Sequence, residues 1–535
     1  MLPKIPNENG ATRIPVMSFG GLERRIGAGN GTLLDMKNMT GADVPVLSTR
    51  PKRKQTATLT NPRGIYGCGT QLFYVDAGKM YKDGTAYDGS LPGSANDERI
   101  FAALGKRLLV WPDKKLFQTD STSQSSLGTY ANRVCYFEDG TYAGEPAEKN
   151  TIRAKDSTHR WTNFKVGDAV TITCNTIPAN NKTAIIREID GASLRFYENT
   201  FTTNSTVGGA GNQVNIERVI PDFDHICVND NRVWGCKDDT IWCCKLGDPT
   251  NWYVYDGLST DSWSVETGTP GSFTGCISFM GYPVFFKEDR IFKVYGNRPS
   301  NFEVMSSATL GVLSGAAKTM AVAGETLYYL SRAGFVRYNG GYPSTVDEAL
   351  NAKYTGGAAG SDGRKYYVSA IRSDNVREML VFNPETGLWH KEDALAVLGF
   401  ADVAGTLYAQ TATANIIVGT AANADEADFD SYATFADFDK VTVSKTSYSF
   451  ASKYPVRLWL RMENAAAVTV QISYNGGTFE TAATIPASTG KSATYIPVPI
   501  RRCDRFGLKI SSTKAWKLYG MEIETRGERT NRKGG

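Results

Sequence analysis

The chain has 535 residues, of which 41% are hydrophobic and 21% charged, so it is too long for one ordinary core and too apolar to be disordered. A formal net charge of only +4 argues against a dedicated nucleic-acid binder, which usually carries a strong basic field. No apolar run reaches the roughly 18 residues of a membrane span, and Met1–Pro6 lacks the apolar core of a signal peptide. Nine scattered cysteines favour free thiols and folding in a reducing cytoplasm.

The N-terminal region has little apolar content. We therefore expect an extended N-terminal arm over residues 1–63 without a core of its own. Two stretches, Asp35–Met39 and Val44–Leu47, supply enough apolar side chains to lie against another surface, either a neighbouring copy or a partner protein.

From residue 64 onward, a unit recurs that consists of a small residue, an apolar strand, a polar turn and a second apolar strand. Copies begin at Gly69, Gly105, Asn229, Gly281 and Gly324, with looser ones at Gly363 and Gly405. The last four follow one another at 39–43 residues, where a four-stranded propeller blade takes roughly 40–50. The pattern predicts an all-β chain with a β-propeller of about seven blades over 64–149 and 219–420; unrelated hairpins in sandwiches are the alternative.

The repeat is interrupted between Gly105 and Asn229. Residues 150–218 contain the stretch Val166-Gly-Asp-Ala-Val and the hairpin turn Asp190-Gly191, a turn type that joins paired strands. These features predict a small β-barrel inserted in a loop of the propeller.

The C-terminal part changes in character. Residues 421–440 are acidic and rich in small side chains, which predicts a solvated linker, with a cation site or a catalytic site as alternatives. Alternating apolar residues over 441–527 predict a β-sandwich, and residues 528–535 form a basic tail. The carboxylates of the linker are Asp425, Glu426, Asp428, Asp430, Asp437 and Asp439.

Residue types that perform chemistry are sparse. The three histidines, His159, His225 and His390, lie in different regions without paired spacing, so neither a catalytic triad nor a zinc site is predicted. The densest thiols, at Cys227, Cys236 and Cys243-Cys244, lack a Cys-x-x-Cys pair and are expected to be buried strand residues. We accordingly expect no catalytic, cofactor-binding or metal-binding residues, and no enzyme.

Positive charge is concentrated in two short groups. Either these groups are solvated, or they contact an acidic partner surface or a nucleic-acid backbone. The candidate contact residues are Arg50, Lys52, Arg53 and Lys54 in the first group, and Arg526, Arg529, Arg532 and Lys533 in the second.

Five stretches resemble one family of bacteriophage proteins. They are Phe19-Gly-Gly-Leu22, Asp35-Met-Lys-Asn-Met39, Val44-Pro-Val-Leu-Ser-Thr-Arg-Pro51, Ile241-Trp-Cys-Cys-Lys-Leu-Gly-Asp-Pro-Thr-Asn-Trp252 and Phe285-Phe-Lys-Glu-Asp-Arg-Ile291. They are similar to the tail-tube B, nozzle or stabilization proteins of short-tailed phages, and the likeness extends loosely over about residues 15–400. Cys243-Cys244 stand where the family has a more polar pair, and the 150–218 region is a variable insertion.

The resemblance implies a structural component of the virion tail, made in the cytoplasm of a bacterial host. Such proteins form a homohexameric ring below the portal and adaptor that continues the DNA ejection channel. The implied partners are other copies of the chain, the adaptor or portal ring, tail fibre or tip proteins and, transiently and non-specifically, viral DNA. The alternative is a carbohydrate-binding propeller or a tail-associated depolymerase.

Overall fold

The structure, a computed structural model, describes residues 12–25, 28–142, 145–203, 213–443, 446–449 and 452–527. In these ranges the fold is all-β, interrupted by short 3-10 helices at Pro178–Asn180, Pro299–Asn301, Ala317–Thr319 and Glu348–Leu350. The described residues contain no helix long and apolar enough to cross a membrane. The chain divides into two compact units, one made of residues 1–72 with 318–535 and the other of residues 73–317.

Five short strands open the chain, and each is too short to be stable alone. They are β1 (Thr12–Val16), β2 (Leu33–Lys37), β3 (Met39–Thr40), β4 (Leu47–Thr49) and β5 (Lys54–Thr58).

Two four-stranded antiparallel sheets follow, formed by runs rich in Tyr, Phe, Val and Leu, which favour strands. The first contains β6 (Pro62–Cys68), β7 (Gln71–Asp76), β8 (Lys79–Lys82) and β9 (Thr85–Ala86). The second contains β10 (Ile100–Leu104), β11 (Arg107–Trp111), β12 (Lys115–Gln118) and β13 (Gln124–Ser126).

The inserted domain is a seven-stranded sheet, ordered β14-β20-β17-β18-β19-β16-β15. Its edge strands, β14 and β15, are separated in the chain only by Val134, so the sheet must curve back on itself. The domain begins at Tyr130, earlier than the predicted 150, because the polar strand β14 lacks an alternating pattern. The strands are β14 (Tyr130–Arg133), β15 (Cys135–Gly140), β16 (Glu148–Ala154), β17 (Ala169–Cys174), β18 (Lys182–Asp190), β19 (Ser193–Phe196) and β20 (Val214–Arg218).

Five more four-stranded sheets follow, which brings the number in the described part of the chain to seven. Two of them comprise β21 (His225–Asn229), β22 (Arg232–Lys237), β23 (Thr240–Cys243) and β24 (Trp263–Glu266), then β25 (Gly275–Phe279), β26 (Tyr282–Lys287), β27 (Arg290–Tyr295) and β28 (Glu303–Ala308). The next two comprise β29 (Ala321–Ala323), β30 (Thr326–Ser331), β31 (Gly334–Tyr338) and β32 (Ser344–Thr345), then β33 (Tyr354–Ser361), β34 (Tyr366–Arg372), β35 (Arg377–Asn383) and β36 (Leu388–Lys391). The fifth comprises β37 (Gly399–Val403), β38 (Thr406–Gln410), β39 (Ala414–Val418) and, from the N-terminal region, β5.

The recurring glycines occupy equivalent positions, as the spacing predicts. Gly281, Gly324, Gly363 and Gly405 each lie in the turn between the first and second strands of a sheet, with φ of +80°, +62°, +85° and +82°. The turn needs a left-handed residue, which glycine adopts without strain. In the Asn229 copy, Asn231 takes this conformation with φ +56°, since asparagine tolerates it better than most residues.

The first strands of successive sheets pack side by side within each unit. In the unit of residues 1–72 and 318–535, β29 contacts β33, β33 contacts β37 and β37 contacts β6. In the unit of residues 73–317, β10 contacts β21, and β21 contacts β25. Because β5 pairs with β39, the N-terminal region completes the last sheet of the repeated series.

Of the remaining strands, Lys440–Val443 and Thr446–Ser449 form a two-stranded sheet of their own. The others form two larger sheets, together called the C-terminal sheet pair. One is ordered β2-β40-β47-β44-β45; in the other, β48 lies between β43 and the N-terminal strands β1 and β4, and β46 flanks β43. The Trp516 indole N–H donates to Ser431 Oγ at 2.9 Å and joins the two sheets. The strands are β40 (Ser431–Phe435), β41 (Lys440–Val443), β42 (Thr446–Ser449), β43 (Lys453–Asn464), β44 (Val468–Tyr474), β45 (Glu480–Ile485), β46 (Ser488–Pro497), β47 (Phe506–Ser512) and β48 (Trp516–Gly527).

The predicted arm over 1–63 and linker over 421–440 differ from the observed organisation. In the arm, β1 and β4 pair with β48, and β2 pairs with β40. The linker itself contains β40. The arm's apolar residues, Met36, Met39 and Leu47, are at most 1% exposed, because the chain's own sheets supply the surface on which they dock. The basic tail 528–535 lies outside the described residues.

Candidate functional site

The basic segment, defined as Arg50–Lys54, leads from β4 into β5 and is the strongest sequence-derived candidate for a contact site. Arg50 is 4% exposed. Its two terminal nitrogens donate to the two carboxylate oxygens of Glu426, both at 2.7 Å, and its Nε donates to Asn38 Oδ1 at 2.8 Å. The guanidinium also lies 4.2 Å from the centre of the Phe429 ring. Arg50 is therefore saturated by its own chain, in a bidentate geometry that is among the strongest for arginine.

Arg53 is held in the same way. Its terminal nitrogens donate to Glu392 Oε2 at 2.7 Å and to Asp393 Oδ2 at 2.6 Å. Burial alone would lower the pKa of Arg53, but the Glu392 and Asp393 carboxylates outweigh burial and raise it. The side chain is a permanent buried cation that pairs with two carboxylates.

The acidic segment, defined as Asp425–Asp430, supplies the counter-charge. Glu426 Oε2 accepts from the Arg53 backbone N–H at 2.8 Å, and Asp425 Oδ1 accepts from that of Gln55 at 3.1 Å. These carboxylates cover part of the outer edge of β5, an edge that otherwise presents unpaired backbone groups. Burial would raise the pKa of Glu426, but the hydrogen bonds from Arg50 and the Arg53 backbone lower it overall.

The segment predicted to be a solvated linker therefore forms ion pairs with side chains from other parts of the chain. Asp428 accepts from Lys52 Nζ at 2.7 Å and from Lys514 Nζ at 3.1 Å, and hydrogen bonds from these two lysines lower its pKa. Asp437, farther along, faces Arg505 at 3.4 Å.

The predicted contact residues consequently differ in their availability. Arg50 and Arg53 cannot reach a DNA phosphate, because they are buried and paired. Lys52 is exposed but faces Asp428, Lys54 is half-buried in β5, and Arg526 is exposed on β48. The predicted contacts at Arg529, Arg532 and Lys533 lie outside the described residues.

The stretches that carry the family resemblance lie at joints within the chain. A side chain on Gly21 would overlap the Trp389 carbonyl oxygen, while the Leu22 N–H donates to that oxygen at 2.6 Å. Asp35 accepts from Lys391 and from the Tyr432 hydroxyl. Asn38 Nδ2 donates to the Asp430 carbonyl at 2.7 Å. Each of these contacts attaches the N-terminal strands to β36 or to the segment around β40.

The Gly247-Asp-Pro-Thr-Asn-Trp252 stretch shapes the loop between β23 and β24. The Trp252 indole N–H donates to the Pro249 carbonyl at 2.8 Å, and its ring packs edge-on against Trp111 with centroids 6.4 Å apart. Asp248 accepts from the Thr250 N–H and from Lys165 Nζ at 2.7 Å. The stretch therefore fixes a long loop against the core and against the inserted domain.

The cysteines and histidines lie apart from any cluster of ligands. Cys227, Cys236, Cys243 and Cys276 share one apolar cluster with Trp234, and burial raises the pKa of the neighbouring Cys244 to about 12. Burial lowers the pKa of His390 to about 4. In the residues that the structure describes, no group of three or more His, Cys, Asp or Glu side chains is arranged to hold a metal ion.

Several buried carboxylates elsewhere are engaged by arginine. Arg99 pairs with Asp113 at 2.9 Å, Arg218 with Asp168 at 2.6 Å and Arg24 with Glu378 at 2.6 Å. Such pairs hold segments that are distant in sequence or lie in different loops together, which favours a structural role for all three.

Comparisons with known proteins give only remote structural likeness. No protein-family model matches the chain, and no curated protein matches it. BamB from Moraxella catarrhalis is 10% identical, with 70% of this chain and 100% of that chain covered and a TM-score of 0.36.

Two enzymes are similar at the same remote level. An exo-β-1,3-galactanase from Phanerochaete chrysosporium is 11% identical, covering 56% of this chain and 95% of its own, with a TM-score of 0.22. A glycoside hydrolase family 43 arabinoxylan arabinofuranohydrolase from Bacillus subtilis is 10% identical, covering 88% and 96%, with a TM-score of 0.18. Likeness at this level supplies no argument about what the chain does.

Proposed function

We propose that the chain is a structural component of a bacteriophage tail, a nozzle or hub ring below the portal and adaptor that continues the DNA ejection channel. One observation carries the proposal: the N-terminal stretches that resemble the phage family join the N-terminal strands to the rest of their unit. Gly21, Asp35, Asn38 and Arg50 each make a specific joint contact. A resemblance at residues that make such contacts is what a shared architecture, rather than a shared active site, would produce.

The architecture that we propose is a closed propeller in which the seven four-stranded sheets are blades. The equivalent turns, the side-by-side first strands and the completion of the last sheet by β5 all support closure. The inserted domain is then a small β-barrel, and the C-terminal sheet pair a β-sandwich.

The charge arrangement suits a surface past which DNA moves. A channel that bound phosphates strongly would retain the DNA, since each neutralised phosphate adds to affinity. Here two of the four cations of the basic segment, Arg50 and Arg53, form ion pairs with carboxylates of the same chain. We therefore expect contact with viral DNA to be transient and non-specific.

The partners that follow from the proposal are further copies of the chain, in a homohexamer, the adaptor or portal ring, and tail fibre or tip proteins. The alternative, a carbohydrate-binding or glycan-degrading tail protein, predicts instead an aromatic-lined cleft that binds polysaccharide.

The test is to locate the chain in purified phage particles with antibodies raised against the full-length protein. Immunogold label at the tail, directly below the head, is the expected result. Label absent from the particles would overturn the proposal. Label at the tail combined with glycan cleavage by the purified chain would favour the depolymerase alternative.

A further inference from the structure

Five large apolar side chains are exposed together in the unit of residues 73–317. They come from the inserted domain and from the loop between β23 and β24, and their exposed fractions lie between 42% and 58%. We call this set the apolar patch: Val166, Tyr197, Leu246, Tyr255 and Leu258.

Contacts between the two elements bring the patch residues into one neighbourhood. The Tyr197 hydroxyl donates to Asp256 Oδ1 at 3.2 Å, beside Tyr255. A side chain on Gly167, next to Val166, would overlap Val254. The Leu246 N–H donates to the Thr260 carbonyl at 2.9 Å, and Thr260 lies two residues after Leu258.

Side chains of Arg232 and Asp261 fix the backbone of the loop that carries three of the patch residues. Arg232, which is 2% exposed, donates to the carbonyls of Cys244 and Ser259, both at 2.8 Å. Asp261 Oδ2 accepts from the Leu258 N–H at 2.8 Å. Because these bonds already order the loop, binding to the patch would cost little further conformational entropy.

Two charged residues beside the patch already have partners. Lys165 pairs with Asp248 at 2.7 Å, and Asp256 accepts from Tyr197. A partner that binds here must therefore gain from apolar burial, which a protein surface offers and a nucleic-acid backbone does not.

The exposed area has the size of an interface core. The exposed fractions equal about two and a half whole residues, of which the two tyrosines alone supply roughly 150–250 Å². A stable interface buries about 800 Å² per partner, of which somewhat more than half is apolar.

We propose that the apolar patch is the surface by which one copy of the chain binds a second copy in the ring, an inference that rests on the proposed function. A ring closes through a heterologous contact, in which one patch meets a different surface of the next copy. On this proposal the Gly247–Trp252 stretch also positions the binding surface, because it shapes the loop that carries three of the five patch residues.

The experiment compares the full chain with Leu246→Asp/Leu258→Asp by sedimentation velocity over a range of concentrations. Met280→Asp and Val376→Asp are matched controls, since both residues are exposed, at 59% and 46%, outside the patch. The wild type and both controls are expected to self-associate alike. The double variant is expected to associate on the order of 100-fold more weakly, since two buried anchors are lost, with an unchanged circular dichroism spectrum.

Unchanged self-association of the double variant, or a wild type that stays monomeric at every concentration, would overturn the inference. If the double variant loses its native spectrum, the single variant Leu258→Ser replaces it under the same criteria. Failure of this inference is distinguishable from failure of the proposed function. If the chain is found in phage tails but its patch variant still self-associates, only the role of the apolar patch is refuted. If the chain is absent from tails, the proposed function is refuted.

Discussion

Replacing Arg53 by alanine tests whether the basic segment is a structural joint. The substitution removes the cation that contacts Glu392 at 2.7 Å and Asp393 at 2.6 Å. Glu392 is 3% exposed, so its carboxylate depends on the guanidinium for its counter-charge. We expect Arg53→Ala to destabilise this unit by about 3–5 kcal/mol at neutral pH, the usual cost of leaving a buried charge without its partner.

Lys52→Ala is the matched control one residue away. The Lys52–Asp428 pair is also short, at 2.7 Å, but both side chains are more than 40% exposed. Solvent screening limits such a pair to about 0–1 kcal/mol. Burial, rather than distance, thus distinguishes the two substitutions.

The assay is urea denaturation followed by tryptophan fluorescence, together with hydrogen exchange of the segments 50–60 and 388–396. Arg53→Ala should lower the urea midpoint and speed exchange in both segments, whereas Lys52→Ala should leave both readouts close to wild type. Equal effects of the two substitutions would refute the assignment of Arg53 as a buried joint, as would a variant of Arg53 that behaves like wild type.

Three further predictions follow from other joints. Deletion of residues 1–48 removes the strands that pair with β40 and β48 and uncovers the edges of those two strands. The C-terminal sheet pair should then lose protection in hydrogen exchange. Retained native protection would contradict the observed pairing. Gly21→Ala should lower the melting temperature, at a cost of about 1–3 kcal/mol, because the new methyl group overlaps the Trp389 carbonyl; an unchanged melting temperature would contradict this close approach. Burial lowers the pKa of His390 from 6.5 to about 4, so the stability contributed by its neutral imidazole is complete above pH 6.5. That contribution falls by about 3 kcal/mol as the pH decreases toward 4. His390→Gln should flatten this part of the pH–stability profile, and an equally steep profile would count against a buried neutral imidazole.

The repeated part of the fold could be predicted because its signals are local. A glycine at a left-handed turn and two short apolar strands lie within about 15 residues of one another, so spacing alone reveals the unit. Gly281 and Gly405 are found where that spacing places them.

The role of the N-terminal region could not be predicted in this way. Its partners are distant in sequence: Thr12 pairs with Thr525, and Met36 with Ala433. The apolar content of Asp35–Met39 indicates that the segment docks, but a composition cannot say whether the surface belongs to the same chain or to another.

The joint around Arg50 was missed for a related reason. Taken alone, the basic segment is interpreted as solvated or as a contact for an acidic partner or a nucleic-acid backbone, and the acidic segment as a solvated linker. The signal that joins them is a matched pattern: Arg50-x-Lys52 faces Glu426-x-Asp428, with two charges on each side. Burial of these groups depends on strands that come together only in the folded chain.

A symmetry-averaged electron cryomicroscopy map of the tails of the phage that encodes this chain tests the central claim most directly. The proposal predicts six copies in a closed ring around an axial channel, with the seven four-stranded sheets of each copy as propeller blades and the apolar patch against the next copy. A tail without density for the chain, or one in which it occurs as single copies or trimers with an outward-facing cleft, would contradict the proposal.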